Sequence, residues 1–480
     1  VKSLEEIRDL LPSIVHGCYQ LPGDSSAVHY IPCSGGADST AMAIVMHAMF
    51  PLVNFRLLFT DTKAEQPELY EGLSRLENYL GKKIIRVEPK LGLYEMIELP
   101  TEEGGYNGFL PGPNARWCTR VLKLEPFEFF MDDLRVGEEQ VYTYVGIRAD
   151  EMERTGLISH RDWILTELPF QSLGIGREEV FRILGLTVGI PRFYRYRTRS
   201  GCSCCPFQRK SELIGLLQAD PIEFMRGAGY EKLSDKDTDR HPENSPKIWS
   251  ETGMSMNHLT FPVPRFVDAR TSNTAEIIPI NTPIKRRNQQ TVDLFDAEPM
   301  VGLWVGCEFL VNAGVGDHGV WWQGLVTFST QRHSLNVQLQ SHYEHRIQTP
   351  EVFGLSPEDM KEELKLVTYY IEVPASLLDT SKPSKGSFTW TQDESYIRLK
   401  HIFGWAQRTL HLAGLTQSAE EYAGAPEGSW KHEQWEGVQA AISRVKAEAG
   451  KLIRMEPFIP VDKIHEVLDE KLVSCAMCSI

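Results

Sequence analysis

Two kinds of hydrophobic pattern alternate over the first 230 residues. Short apolar runs at 28–32, 55–60, 83–87 and 141–146 have the length and composition of strands. Between them, 39–49, 67–80 and 124–132 repeat their apolar positions every three to four residues and predict helices. Strands alternating with helices predict an α/β fold built on a parallel sheet. The stretch 234–246 is polar and rich in helix breakers, and 262–290 carries several prolines and the basic triplet Lys285, Arg286 and Arg287. Beyond this joint, 302–311 and 319–329 read as strands and 396–415 and 434–451 as helices. The expected organisation is a domain over 1–235, a linker over 236–290, and a C-terminal α+β domain over 291–480 whose role the pattern does not reveal.

Composition narrows the class. The chain has 480 residues, 42% hydrophobic, 24% charged and 10% aromatic, as expected of a globular protein of more than one domain. No apolar run approaches the roughly 18–20 residues of a membrane span, and residues 1–15 lack a signal-peptide pattern, so a cytoplasmic protein without membrane contact is expected. A net charge of −15 excludes a chain coated in positive charge, yet 192–210 gathers Arg192, Arg195, Arg197, Arg199, Arg209 and Lys210 without a carboxylate. Phe193, Tyr194 and Tyr196 interleave with them. This basic region is expected to serve a DNA or nucleotide substrate, or else to be a solvated face or to contact cysteine sulfurs and phosphates. Nine cysteines are too few for a disulfide scaffold, but Cys202, Cys204 and Cys205 fall within four residues, which points to metal or redox chemistry.

The sharpest motif is Cys33-Ser34-Gly35-Gly36-Ala37-Asp38-Ser39-Thr40, between a strand and a helix. Two glycines at a helix start let backbone N–H groups converge on an anion, with the positive end of the helix dipole behind them. Ser34, Ser39 and Thr40 add hydroxyls, and Asp38 is expected to hold the loop or a Mg²⁺ ion. The helix start would also lower the Cys33 pKa and favour a reactive thiolate, against the alternative of an ordinary buried residue at a strand end. The string resembles the SGGxDS loop of the PP-loop ATP pyrophosphatases, which implies a PP-loop (adenine nucleotide alpha-hydrolase-like) domain. Phe59-Thr60-Asp61-Thr62 with Glu65-Gln66-Pro67, Arg116-Trp117-Cys118-Thr119 with Lys123, and Gly146-Ile147-Arg148-Ala149-Asp150-Glu151 resemble, in order, motifs of the phosphoadenosine-phosphosulfate (PAPS) reductase-like family. Met152 stands where that family often has Ser. The resemblance implies that ATP lies on Ser34, Gly35, Gly36, Asp38, Ser39 and Thr40, flanked by Asp61, Thr62 and Arg148, with Asp38 and Arg148 as catalytic candidates; Cys33 joins them on the helix-start argument alone.

Gly201-Cys202-Ser203-Cys204-Cys205-Pro206-Phe207 resembles the GC..CPF element of the same relatives. Cys202, Cys205 and Cys118, with Cys204 or a non-protein sulfur as fourth donor, are the implied ligands of an iron–sulfur cluster, [4Fe–4S] first. Zn²⁺ or metal-free packed cysteines are the alternatives. Cys475 and Cys478 form another C-x-x-C, without the residues that flank the catalytic tail cysteine of assimilatory PAPS reductases. In organisation the chain resembles the ATP pyrophosphatase and sulfurtransferase subunits of DNA phosphorothioation systems. That implies ATP cleavage to AMP and pyrophosphate, a sulfur donor such as a cysteine desulfurase, and other subunits of a modification complex. A PAPS or adenylyl-sulfate reductase and a non-catalytic nucleotide-binding subunit are the alternatives.

Overall fold

The computed structural model describes residues 1–23, 27–112, 115–135, 140–154, 161–198, 201–231, 300–311, 320–378, 390, 396–412 and 456–457. The segments 234–246, 262–290 and 434–451, together with Arg199, Cys475 and Cys478, lie outside them. The N-terminal part is a five-stranded, wholly parallel sheet flanked by helices, as the alternation predicts. Chain order runs α1 (Leu4–Leu10), β1 (Val28–Pro32), α2 (Ala37–Met49), β2 (Arg56–Thr60), α3 (Pro67–Leu80), β3 (Ile84–Val87) and α4 (Leu93–Glu98). It continues through α5 (Trp117–Thr119), a π-helical turn Arg120–Leu124, α6 (Glu125–Leu134), β4 (Val141–Tyr144) and β5 (Ile164–Glu167). Next come α7 (Pro169–Leu173), α8 (Arg177–Leu186), α9 (Lys210–Ala219) and α10 (Pro221–Ala228).

Strand order is β3-β2-β1-β4-β5, so β1 is central and the chain reverses direction across the sheet between β1 and β4. Ligands of open α/β sheets lie at the carboxyl ends of strands beside such a reversal. Helix α2 is apolar nearly all round and buried from Ala41 to Ala48, as a helix sandwiched between sheet and covering helices must be. Helix α3 shows Leu69, Leu73 and Leu76 to the core and ends at Gly81, whose left-handed backbone (φ 63°) closes the last turn.

The C-terminal part is α+β, with an antiparallel sheet in the order β7-β6-β8-β9, formed by β6 (Met300–Val311), β7 (Val320–Ser329), β8 (Leu364–Pro374) and β9 (Glu456–Pro457). Its helices are α11 (Arg332–Gln348), α12 (Pro357–Glu363) and α13 (Tyr396–Leu412). The periodicity signal misses α11, because its buried apolar stripe is thin: Leu335, Leu339 and Tyr343 among charged and amide residues. One hydrophobic cluster joins Leu213, Leu216 and Phe224 of α9 and α10 to Leu303 and Val305 of β6, Tyr369 and Ile371 of β8, and Leu399 and Phe403 of α13. The two parts therefore share a core. Among the described residues, no helix is long and apolar enough to cross a membrane.

Candidate functional site

Strand β1 ends at Pro32, and residues 33–36 turn the chain into α2. Gly35 takes a left-handed backbone (φ 74°), and a Cβ there would lie 2.4 Å from the Leu69 side chain. Both facts require glycine. The loop is tied by its own atoms: Ser34 N–H donates to Ser39 Oγ (3.1 Å), and the Thr40 hydroxyl donates to the Gly36 carbonyl (2.8 Å). The first helical N–H, of Ala37, donates to the Tyr194 hydroxyl (2.6 Å), a partner contributed from 157 residues downstream. An oxyanion at a helix start competes for such an N–H.

Asp38 faces Arg148, whose Nη1 lies 3.0 and 3.1 Å from the two carboxylate oxygens. Burial pushes the Asp38 pKa up, partly offset by the Arg148 charge. Arg148 also donates through Nε to Asp150 (2.8 Å), and its Nη2 lies 3.4 Å from both Asp150 and Glu151. All three of its nitrogens are thus spent on carboxylates. Gly146 allows this approach, since a Cβ on it would lie 2.8 Å from the backbone carbon and oxygen of Asp38. Asp61 and Thr62 follow β2: Asp61 accepts from Lys63 N–H and the Tyr70 hydroxyl (both 2.8 Å), and Thr62 donates to Glu65 (3.0 Å).

Cys33 corrects an expectation. Its side chain is fully buried, its Sγ contacts the Ile31 carbonyl (3.4 Å), and burial pushes its pKa up to about 12. Desolvation outweighs the helix start, so Cys33 is a packed thiol and not a reactive thiolate.

The cysteine loop is sewn to the segment after Asp61 and Thr62. Ser203 N–H donates to the Ala64 carbonyl (3.0 Å) and Gln66 N–H to the Gly201 carbonyl (2.9 Å). Cys202 Sγ lies 3.3 Å from Glu65 Oε1 and 3.6 Å from Lys123 Nζ, and Lys123 and Glu65 form a buried ion pair (3.7 Å). The element holding Cys118 reaches the same loop through Arg116, whose guanidinium lies 4.8 Å from the centre of the Phe207 ring. Cys118 and Cys205 are half-buried. Cys204 departs from the expected ligand set: it is buried among Tyr94, Tyr396 and Gly227, and burial lifts its thiol to about 12. Among the described residues, no three His, Cys, Asp or Glu side chains converge as a metal-binding group.

Within the basic run Arg197 turns inward and Arg195, Arg209 and Lys210 are half-buried, whereas Arg192 is exposed. Arg197 is 1% exposed and donates to the carbonyls of Cys202 (2.7 Å) and Ser203 (2.9 Å), so it holds the cysteine loop. Arg195 lies over the rings of Trp322 and Phe353, and Arg209 donates to Ser341 Oγ (3.0 Å). These contacts join the two parts of the molecule. Gly146 was visible only as part of a motif, Tyr194 only as one of the aromatics in the basic run, and Arg177, at the start of α8, carries no local signal.

Comparison with known proteins agrees with the N-terminal geometry. Residues 29–159 match the family model of the phosphoadenosine phosphosulfate reductase domain, so this part of the chain is a PAPS reductase-like domain, of a class that uses nucleotides in sulfur transfer or reduction. The match ends before the cysteine loop. An uncharacterised protein of Methanocaldococcus jannaschii is 30% identical over 119 residues, 25% of this chain. The chain spans 22% of that relative's length.

Proposed function

We propose that the protein is an ATP-using sulfurtransferase that splits ATP to AMP and pyrophosphate and passes sulfur to an acceptor phosphate, with DNA as the acceptor class. The observation that carries this reading is the stitching of the cysteine loop to residues 64–66, directly beyond Asp61 and Thr62 at the carboxyl ends of the strands that hold the phosphate loop. A nucleotide and a thiol-rich loop then share one edge of the sheet.

In this reading the N–H groups around Gly36 and Ala37, with the hydroxyls of Ser34, Ser39 and Thr40, bind the phosphates, while Asp61 and Thr62 border the nucleotide. Attack of an acceptor oxygen on the α-phosphorus forms an adenylated acceptor and releases pyrophosphate; a sulfide-level nucleophile from a sulfur donor then displaces AMP. Preorganised N–H donors stabilise the charge that develops on the phosphorus oxygens. Asp38, Asp150 and Glu151 are the carboxylates beside the loop suited to a Mg²⁺ ion, which when bound neutralises phosphate charge. Arg148 organises these carboxylates, and Cys33 has no role in the chemistry. As arranged, the cysteines do not fit an iron–sulfur or zinc site, because Cys204 points into the core and Cys202 is engaged by Glu65 and Lys123. No step runs through a metal at that loop.

The matched family and the Cys202–Lys123 contact favour one second reading, in which Cys202 attacks the sulfur of a sulfated nucleotide. Product analysis separates the two. Incubation with ATP, Mg²⁺, an acceptor DNA and sulfide is expected to give AMP and pyrophosphate; ADP and orthophosphate would refute both steps. Thiol-dependent sulfite release from PAPS, without ATP cleavage, would establish the second reading instead.

A further inference from the structure

Two arginines stand beside the phosphate loop, and they differ in what they already hold. Arg148 donates from every guanidinium nitrogen to Asp38, Asp150 or Glu151. Arg177 makes no ion pair among the described residues. Its two hydrogen bonds both use Nη1, to the Thr198 carbonyl (3.4 Å) and to His345 Nδ1 on α11 (3.1 Å). Its Nε and Nη2 thus form no hydrogen bond among the described residues, on a side chain that is only partly buried. The residue sits against the loop that carries Arg148: Ala149 N–H donates to the Ile175 carbonyl (2.9 Å), and a Cβ on Gly176 would come within 3.8 Å of Asp150 Oδ1. Its charge reaches both Asp38 and Tyr194.

We propose that Arg177, oriented by His345, is the side chain that grips the anionic oxygens of a ligand seated on the phosphate loop, namely the phosphate or sulfate oxygens of an adenine nucleotide. A guanidinium with an unengaged edge presents the donor fork that such oxygens fit. Arg148 could do so only by giving up carboxylates it already holds.

His345 makes the arrangement specific. Arginine only donates, so His345 Nδ1 accepts, and the ring proton of the neutral imidazole lies on Nε2. Burial, with Arg177 and Arg346 nearby, keeps the ring neutral well below the ordinary histidine value, preserving the acceptor. Arg177 is itself lowered to about 10 by burial and by Arg148, with the charges of Asp38, Asp150 and Glu151 acting the other way. Helix α11 is fixed to the C-terminal sheet through buried Glu308, which accepts from Arg346 Nε and Nη2 (2.9 and 2.6 Å) and from Trp322 Nε1 (3.0 Å). The C-terminal part, which showed no role in the sequence, thereby completes the nucleotide site.

The nucleotide identity rests on the proposed function; the anion grip does not. Calorimetric titration of the intact chain with inorganic pyrophosphate, and separately with ATP, tests both. Arg177→Met is expected to weaken both ligands by about tenfold or more, and Arg177→Lys by less, because it keeps the charge and loses the fork. His345→Phe is expected to weaken pyrophosphate by about threefold to tenfold, and His345→Asn, which restores an acceptor near the Nδ1 position, to recover most of it. A merely structural role for His345 would give no such rescue. Wild-type affinity in Arg177→Met, equal binding by the two His345 variants, or no pyrophosphate binding by the wild type would overturn the proposal. Should Arg177→Met fail to fold, the lysine variant and the His345 pair decide it. Arg177-dependent pyrophosphate binding without ATP cleavage would sink the functional reading alone, and full ATP turnover by Arg177→Lys and Arg177→Met would sink this one alone.

Discussion

The phosphate loop and the cysteine loop lie at the same edge of the sheet but are held by opposite means. Residues 33–40 are shaped in large part by their own backbone and hydroxyls, with Gly35 in a left-handed conformation, Ser34 against Ser39 and Thr40 against Gly36, while Tyr194 and Arg148 reach Ala37 and Asp38 from a distance. Residues 201–205 are positioned from outside, by Ala64, Gln66, Gln208 and the buried guanidinium of Arg197. A loop that folds by local rules keeps its shape when the surroundings change, whereas one held by distant partners fails with them. The difference teaches where substitutions will act on the site without touching it.

The largest effect is expected where a distant residue presses on the self-held loop. Gly146→Val would drive a side chain into the backbone of Asp38, and α2 must shift. ATP cleavage is expected to fall by about a hundredfold or more, since displacements near 1 Å cost about that much in positioned chemistry. Steady-state kinetics check it; near-normal turnover would show that the start of α2 tolerates movement and that the contrast between the loops is weaker than drawn.

Arg197→Met addresses the other loop. It leaves the Cys202 carbonyl without the guanidinium and the Ser203 carbonyl with only Gln208, at a cost of about 1–3 kcal/mol. In the intact protein Cys204 is expected to resist alkylation, because it is buried and its thiol lies near 12. Alkylation followed by peptide mass mapping should show Cys204 becoming reactive in the variant while nucleotide affinity changes little. Equal loss of nucleotide binding would mean that the two loops form one unit.

The smallest effect is a pH response. Burial lowers the values of His29, His47, His342 and His345, so the unfolded chain binds protons that the folded chain refuses. The sign follows: stability is full above the ordinary histidine value of about 6.5 and falls as pH drops below it. Denaturant midpoints at about pH 7.5 and 5.5 should differ, by less in His345→Asn. An unchanged difference would remove His345 from the group that matters.

Much of this was legible along the chain, for a local reason. The alternation of strands and helices, the strand over 28–32, the helix over 67–80, the glycine turn and the order of its companion motifs depend on neighbours a few residues apart. The fifth parallel strand, Ile164–Glu167, was not legible: its apolar residues give way at once to Thr166 and Glu167, and only Ile164 of the four is buried. Strand β8 escaped because its inside-outside alternation slips by one residue at Thr368 and Tyr369, which are both buried.

The sequence by itself determined that a two-glycine turn opens α2 and that a cysteine-rich loop exists. Only the tertiary structure decided which charges are spent and which remain. Arg148 and Arg177 are alike as residues, yet one is enclosed by Asp38, Asp150 and Glu151, while the other meets a histidine 168 residues away. Cys33 and Cys204 carry the same thiol as Cys202, yet burial, with the Glu223 charge beside Cys204, pushes both up to about 12. Charge state and reactivity depend on desolvation and on partners brought together by packing, and neither is encoded in the spacing of residues along the chain.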